Sequence, residues 1–146
     1  MPHSFSTIWI HAVWATKDRQ PLIKPTWESQ LHSFLRNQLA DLSCPVRIIN
    51  GMPDHIHMLF LLNSQKSVSD VIKQVKGASS HWVNQQDFSE DKFAWQTGYA
   101  AYSVSDSVKE KVFHYSKTKK STIGRFPFRR NMRKSSDEFK IRAETF

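Results

Sequence analysis

The segment from residue 46 to residue 62, VRIINGMPDHIHMLFLL, constrains the fold of this chain more than any other. It contains two apolar runs, each rich in the β-branched and large side chains that favour strands. The four residues between the runs, NGMP at positions 50–53, are of the kinds that form tight turns. The segment therefore predicts two antiparallel strands joined across residues 50–53.

The segments before and after this hairpin alternate between strand-like and helix-like patterns. Residues 5–16, FSTIWIHAVWAT, are rich in aromatic and β-branched side chains and predict a buried strand. Residues 26–42 carry apolar side chains at helical spacing and predict a helix with Thr26 as its N-cap. Residues 67–85 predict a second helix, in which Ser67 and the acidic residue three positions later have the spacing of a capping box.

The last elements complete a strand, helix, hairpin, helix, strand, helix order. Residues 93–105 are rich in aromatic side chains and predict a late strand or hairpin. A third helix is predicted to begin near Ser105 or Ser107 and to carry Tyr115 on its apolar face. This order predicts an α+β fold, in which an antiparallel sheet has helices packed on it.

Length and composition limit the class of protein. A chain of 146 residues with only 4 Gly and 6 Pro fits one domain. The single Cys44 excludes a disulfide framework and a multi-cysteine zinc site, and it favours a reducing cytoplasm. The longest apolar run, residues 56–62, is far shorter than the roughly 20 residues of a membrane-spanning helix, and no signal peptide opens the chain. We expect a soluble cytoplasmic protein with no membrane partner.

The net charge of +8 is unevenly distributed along the chain. Residues 108–142 hold 12 of the 21 Lys and Arg but 3 of the 13 Asp and Glu, so this segment is +9 and the remainder, 9 minus 10, is −1. Clustered cations bind nucleic-acid phosphates, but a basic tail is often only a solvated terminus. The charge leaves both interpretations open.

Two histidines and one tyrosine are the candidate functional side chains. Successive residues of a strand point to opposite faces, so His55 and His57 share one face, about 6.6 Å apart along the strand. They can converge on one metal ion if another element adds a third ligand, or they are simply partly exposed polar residues on an open sheet face. Tyr115 is either a core residue or a nucleophile, and spacing does not choose between these. Trp82 is predicted to lie in the core, whereas Trp95 remains open between the core and base stacking.

Four sequence blocks follow one another along the chain: WIHAVWATKDRQPLI, GMPDHIHML, SVSDVIKQVKGASSHWVN and FAWQTGYAAYSVSDSVKEKV. Together they resemble the single-tyrosine insertion-sequence transposases of the His-hydrophobic-His (HUH) endonuclease superfamily, which also includes the REP-associated tyrosine transposases. The resemblance implies a ferredoxin-like fold, a homodimer, and a cut in single-stranded DNA near a hairpin that depends on Mg²⁺ or Mn²⁺. It also implies a 5′-phosphotyrosine intermediate with a free 3′-hydroxyl, and no nucleotide cofactor.

Carried over by position, the resemblance implies that His55 and His57 are metal ligands and that Tyr115 is the nucleophile. The transposase domain then spans residues 1–115, and residues 116–146 form an atypical basic tail. An edge strand such as the first one could pair with a second copy across a two-fold axis. Two alternatives remain: a non-catalytic or domesticated protein that binds hairpin single-stranded DNA, and a structural protein whose histidines bind nothing.

The chain departs from the family pattern directly after the tyrosine. Family members continue as Tyr-Ile-x-x-Gln-x-x-His-His, and their glutamine completes the metal site. Lys119 stands at the glutamine position here, and an ammonium group cannot ligate a cation. If Tyr115 is encoded by TAT, one inserted A after that codon allows the bases from TAT onwards to read YIKNQKEHH. We therefore hypothesise that residues 116–146 are the product of a one-base deletion, so that the metal site lacks its third protein ligand.

Overall fold

A computed structural model describes residues 6–105 of the chain. The order strand, helix, hairpin, helix, strand predicted for this part is confirmed. The third helix, expected near Ser105 or Ser107, falls outside the described residues apart from its first candidate position, and Tyr115 and Lys119 also lie outside them. The elements are β1 (Trp9–Ala15), a short 3₁₀ turn (Lys17–Arg19), α1 (Glu28–Asp41), β2 (Val46–Met52), β3 (His55–Leu61), α2 (Val68–Gln85) and β4 (Ala100–Val104).

The four strands form one sheet in the order β2-β3-β1-β4, and every neighbouring pair is antiparallel. This confirms the α+β class and the ferredoxin-like arrangement of the strands. One sheet face packs against both helices, because alternate residues of β1 and β3 join the buried side chains of α1 and α2 in a single apolar core. The core members from these four elements are Ile10, Ala12, Trp14, Ile56, Met58, Phe60, Leu31, Leu35, Leu39, Val71, Ile72, Val75 and Val83.

The suggestion that the first strand lies at the sheet edge is wrong. β1 lies between β3 and β4, with Val13 opposite His57 on one side and Ala100 on the other. Its apolar residues explain this position, since the side chains from Ile10 to Ala15 are all buried, as expected of a strand covered on both faces. Among the described strands, β2 and β4 are the edges.

The two helices begin in different ways. α2 begins as predicted, because the backbone N–H of Asp70 donates to Ser67 Oγ at 3.2 Å. The prediction that Thr26 caps α1 is wrong: Trp27 occupies the N-cap position, and its side chain makes no capping hydrogen bond. The indole of Trp27 is buried and stacks on Phe88 with ring centroids 4.9 Å apart. Burial of this large ring therefore determines where the chain enters the helix.

The hairpin turn also lies later than predicted. Asn50, Gly51 and Met52 belong to β2, and Pro53 and Asp54 make the turn. The glycine is needed in the strand rather than in the turn, because a Cβ on Gly51 would lie 2.5 Å from the backbone oxygen of His55. Gly51, which the sequence pattern assigned to the turn, therefore lies where the backbones of β2 and β3 come close together.

The aromatic side chains of the later segments pack on the helical side of the molecule. Trp82 is half-buried against the core, as predicted, and stacks on Phe34 with ring centroids 4.7 Å apart. Trp95 packs against the same core and donates its indole N–H to Ser79 Oγ at 2.8 Å, which favours the core role for this residue. Within residues 6–105, neither helix has the length and apolar character needed to cross a membrane.

Candidate active site

The sheet face opposite the helices carries both candidate histidines. His55 and His57 point to the same side of β3, as predicted, while Ile56 and Met58 point into the core. The two imidazole rings lie 6.4 Å apart, and the residues are only 4% and 2% exposed. They are therefore not the partly exposed polar residues of the alternative interpretation. Buried polar side chains of this kind require specific partners.

His55 has a carboxylate partner in the turn that precedes it. Nδ1 of His55 lies 2.8 Å from Asp54 Oδ1, and Asp54 Oδ2 lies 3.3 Å from Nη2 of Arg19. Partial burial alone would raise the pKa of Asp54, but the hydrogen bond to His55 and the charges of His55 and Arg19 hold this pKa below its usual value. Asp54 is therefore an ionised carboxylate at neutral pH.

An ionised carboxylate only accepts hydrogen bonds, and Nδ1 of His55 lies within hydrogen-bonding distance of it. Metal-binding histidines in proteins almost always donate their other ring N–H to a carboxylate, a backbone carbonyl or water. The pair of Asp54 and His55 fits that arrangement, so the described half of the site suits a divalent ion.

The turn that carries Asp54 is held by the end of β1. Thr16 is fully buried, its backbone N–H donates to the backbone oxygen of Asp54 at 2.9 Å, and its hydroxyl donates to the backbone oxygen of Gln20 at 2.6 Å. Ile23 donates its backbone N–H to the oxygen of Pro53 at 3.0 Å. These contacts fix the backbone of the turn, and only the side chain of Asp54 remains to be oriented.

Arg19 lies in a short segment with unusual backbone angles. Asp18 and Arg19 have φ angles of 55° and 54°, in the left-handed region that non-glycine residues seldom adopt. The N–H of Asp18 donates to Oε1 of Gln96 at 3.0 Å, which ties this segment to the chain that leads into β4. Strained backbone of this kind persists where surrounding contacts hold it, and here it places the Arg19 guanidinium beside Asp54.

A third histidine lies on the same sheet face. His11 of β1 is buried, and its ring lies edge-on to His57 at a centroid distance of 6.0 Å. Burial lowers the pKa of His11 to about 4, so the ring is neutral at neutral pH and adds no positive charge beside His57. In the pairing of β1 with β3, His11 lies opposite Leu59, whereas His55 lies opposite Ala15. His57 therefore lies between His11 and His55 on this face.

The described residues do not complete a metal site. Within residues 6–105, no three His, Cys, Asp or Glu side chains are grouped so that they could hold one ion. His55 and His57 are brought together as predicted, whereas Tyr115 and Lys119 fall outside the described residues. A cavity of about 380 Å³ opens beside His55, lined also by Arg19, Asp54, Pro21, Met52 and Pro53.

Sequence reasoning missed three residues of this site. Asp54 directly precedes His55, so its proximity was readable from the sequence, but the direction of its side chain was not. Arg19 is 35 positions from Asp54, and His11 reaches His57 only through the pairing of β1 with β3. Nothing in the local sequence pattern indicates those two contacts.

The family profile described as "Transposase IS200 like" matches residues 4–119, which include both histidines, Asp54, Arg19 and Tyr115. The chain belongs to this family of transposases. The match shows that the buried histidine pair lies in a DNA-transposase domain of the tyrosine class, and this agrees with the resemblance stated above.

Individual relatives agree with this assignment. The ISDra2 transposase TnpA of Deinococcus radiodurans is 26% identical over 110 residues, which cover 72% of this chain and 79% of that protein. A crystal structure of a transposase from Deinococcus radiodurans R1 has a TM-score of 0.63 at 21% identity, covering 84% of this chain and 98% of the other. A REP-associated tyrosine transposase bound to a REP hairpin has a TM-score of 0.54 at 14% identity, covering 80% and 68% respectively. At these identities, the two structures establish a shared fold.

Proposed function

We propose that this chain nicks and rejoins single-stranded DNA near hairpins through a 5′-phosphotyrosine on Tyr115, with a divalent ion, Mg²⁺ or Mn²⁺, held by His55 and His57. The observation that carries the proposal is the buried histidine pair on one face of β3 in a chain of this transposase family. The carboxylate next to His55 supports a ligand role for the pair, since metal-binding histidines almost always donate their other ring N–H to a carboxylate, a backbone carbonyl or water.

The chemistry follows from a tyrosine attacking a phosphodiester. The phenolic oxygen of Tyr115 forms a bond to phosphorus while the bond from phosphorus to the 3′ oxygen breaks. The phenol loses its proton, and the departing oxygen gains one and becomes a free 3′-hydroxyl. Attack of a 3′-hydroxyl on the phosphotyrosine reverses these steps and joins strands, so no nucleotide cofactor is needed. A bound divalent ion supplies charge neutralisation at the non-bridging oxygens of the phosphate.

Residues of this chain prepare the site for that reaction. His55 and His57 present their rings on one face, and the ionised Asp54 lies 2.8 Å from Nδ1 of His55. Lys119 stands where the family has its glutamine ligand, so we expect the chain as written to have weakened metal binding and weakened strand transfer. This departure is also the observation that favours the alternative, a hairpin-binding protein without catalytic activity.

The partners follow from the family. The REP-associated relative is bound to a DNA hairpin, and this supports hairpin-bearing single-stranded DNA as the substrate. We also propose a homodimer, in which an edge strand of the sheet, β2 or β4 among the described strands, supplies the pairing edge rather than β1.

The test is to offer hairpin-bearing single strands with Mg²⁺ or Mn²⁺ and to search for a DNA adduct on Tyr115 by mass spectrometry. We expect an adduct that is absent in Tyr115→Phe and strongly reduced in His57→Ala, with DNA binding retained in both variants. Hairpin binding with no adduct, unchanged in Tyr115→Phe, would identify the non-catalytic alternative. Absence of both binding and adduct, together with Mn²⁺ titrations independent of the two histidines, would leave only a structural role.

A further inference from the structure

We infer that Asp54 is a positioning residue that fixes the tautomer and the orientation of His55, and that Arg19 holds Asp54 in place for this task. The inference rests on the proposed function, because it concerns how a metal-binding histidine is prepared. It is nevertheless a statement about the protein before any ion binds, so it can be tested on the metal-free chain.

The geometry leaves Asp54 little freedom except around its side chain. The backbone N–H of Thr16 donates to the backbone oxygen of Asp54 at 2.9 Å, and the Thr16 hydroxyl donates to the backbone oxygen of Gln20 at 2.6 Å. One carboxylate oxygen lies 2.8 Å from His55 Nδ1, and the other lies 3.3 Å from Nη2 of Arg19. With each of its two oxygens assigned to a different partner, the carboxylate has one preferred rotation.

The chemistry of the carboxylate determines which ring nitrogen carries the proton. An ionised carboxylate has no proton to donate, so the bond to Nδ1 exists only in the tautomer protonated at that nitrogen. Without this acceptor, a neutral imidazole is free to protonate Nε2 instead and thereby block the nitrogen that faces away from the turn. Asp54 therefore selects the form of His55 that retains a lone pair on Nε2.

Arg19 acts through Asp54 rather than on the histidine. Both side chains of the ion pair are 33% exposed, and such a pair adds little to the stability of a protein. The left-handed backbone at Asp18 and Arg19 nevertheless has a conformational cost, and the contact between Asp18 and Gln96 maintains it. A weak ion pair held on a strained segment is better explained by the orientation it gives to Asp54 than by stability.

The test is nitrogen NMR of the full, metal-free chain with ¹⁵N-labelled histidine at about pH 8, above the ordinary histidine pKa. The nitrogen signals of His55 are assigned, among those of the seven histidines, by their absence in His55→Gln. We expect His55 to be protonated on Nδ1 in the wild type and to shift towards the Nε2-protonated form in Asp54→Ala. His57 serves as the internal reference, and Asp41→Ala, an exposed carboxylate at the end of α1, serves as the matched control.

Arg19→Ala tests the same contacts, from Arg19 through Asp54 to His55, without changing a residue of the turn. We expect it to give a mixture of the two His55 tautomers, and Arg19→Lys to restore most of the wild-type signal. The inference is overturned if wild-type His55 carries its proton on Nε2. It is equally overturned if Arg19→Ala and every folded Asp54 variant leave the His55 nitrogen shifts at their wild-type values.

A metal titration separates this inference from the proposed function. Loss of an orienting partner typically weakens metal binding 10- to 100-fold, so Mn²⁺ should bind Asp54→Ala about 10- to 100-fold more weakly than it binds Asp41→Ala, as measured by electron paramagnetic resonance. If the wild type binds no Mn²⁺, the proposed metal role fails, and the tautomer measurement still decides the role of Asp54. If the wild type binds Mn²⁺ and forms the adduct, and Asp54→Ala leaves the His55 tautomer unchanged, only the positioning role of Asp54 fails.

Discussion

Adding a single methyl group should have opposite effects at two glycines of this chain. Gly51 lies in β2, where a Cβ would lie 2.5 Å from the backbone oxygen of His55 and 3.0 Å from the Cα of Ile56. Gly77 lies within α2, where a Cβ would meet nothing within 4 Å. The same substitution, glycine to alanine, therefore probes close packing at one position and helix propensity at the other.

The magnitudes follow from these surroundings. The atoms that oppose a methyl group at Gly51 are backbone atoms, which cannot rotate aside, so strands β2 and β3 must move apart. Overpacking of this kind costs about 1–3 kcal/mol, and we expect Gly51→Ala to lower the free energy of unfolding by that amount. Gly77→Ala should raise the free energy of unfolding by about 0.5–1 kcal/mol, because alanine is favoured over glycine inside a helix.

The assay is equilibrium unfolding in urea, followed by circular dichroism, on both variants and the wild type. The denaturation midpoint should fall for Gly51→Ala and rise for Gly77→Ala, with similar slopes for all three proteins. Mn²⁺ affinity should fall only for Gly51→Ala, since the displaced backbone belongs to His55. A Gly51→Ala protein as stable as the wild type would refute the close approach of the strands, and with it the explanation for the late turn.

Three further measurements test other parts of the structure. Ser67→Ala should lower the free energy of unfolding by about 1 kcal/mol because it removes the cap of α2, whereas Thr26→Ala should change it by less than about 0.5 kcal/mol; equal losses would contradict the observed start of α1. Burial lowers the pKa of Lys76 from 10.5 to about 8, so the unfolded chain binds more protons between these values, and the stability should rise with pH from about 8 to 10.5. Unfolding curves measured across that range should show this rise in the wild type and a smaller one in Lys76→Met. A chain in which YIKNQ replaces the five residues from Tyr115 should give more Tyr115 adduct by mass spectrometry than the chain as written, and equal yields would show that Lys119 is not the defect.

The elements of this fold were predictable because their signals are local. Apolar residues at periods of two and of about 3.6 indicate strands and helices without knowledge of what they contact, and the same period of two placed His55 and His57 on one face. The boundaries depend on distant partners instead. Trp27 starts α1 because it stacks on Phe88, and Gly51 stays in its strand because of the backbone opposite.

The candidate site divides in the same way. Its histidines follow from spacing within one strand, but the contacts of Arg19 with Asp54 and of His11 with His57 depend on long-range packing that the sequence did not reveal. Placing the first strand at an edge was wrong for this reason: a central strand and an edge strand differ in how many neighbours they pair with, and pairing is not a local property.

The close approach at Gly51 and the chemistry of the histidines are parts of one arrangement. Because side chains alternate along a strand, a slip of one residue between β2 and β3 would exchange the faces of His57 and Met58. The imidazole would then enter the apolar core, and the thioether would take the place of a proposed metal ligand. The observed pairing of Gly51 with Ile56 prevents that slip, and it leaves Asp54 in a two-residue turn directly before His55. A variant that loosens this pairing should therefore lose Mn²⁺ binding together with stability, whereas Asp54→Ala should lose Mn²⁺ binding with a smaller loss of stability.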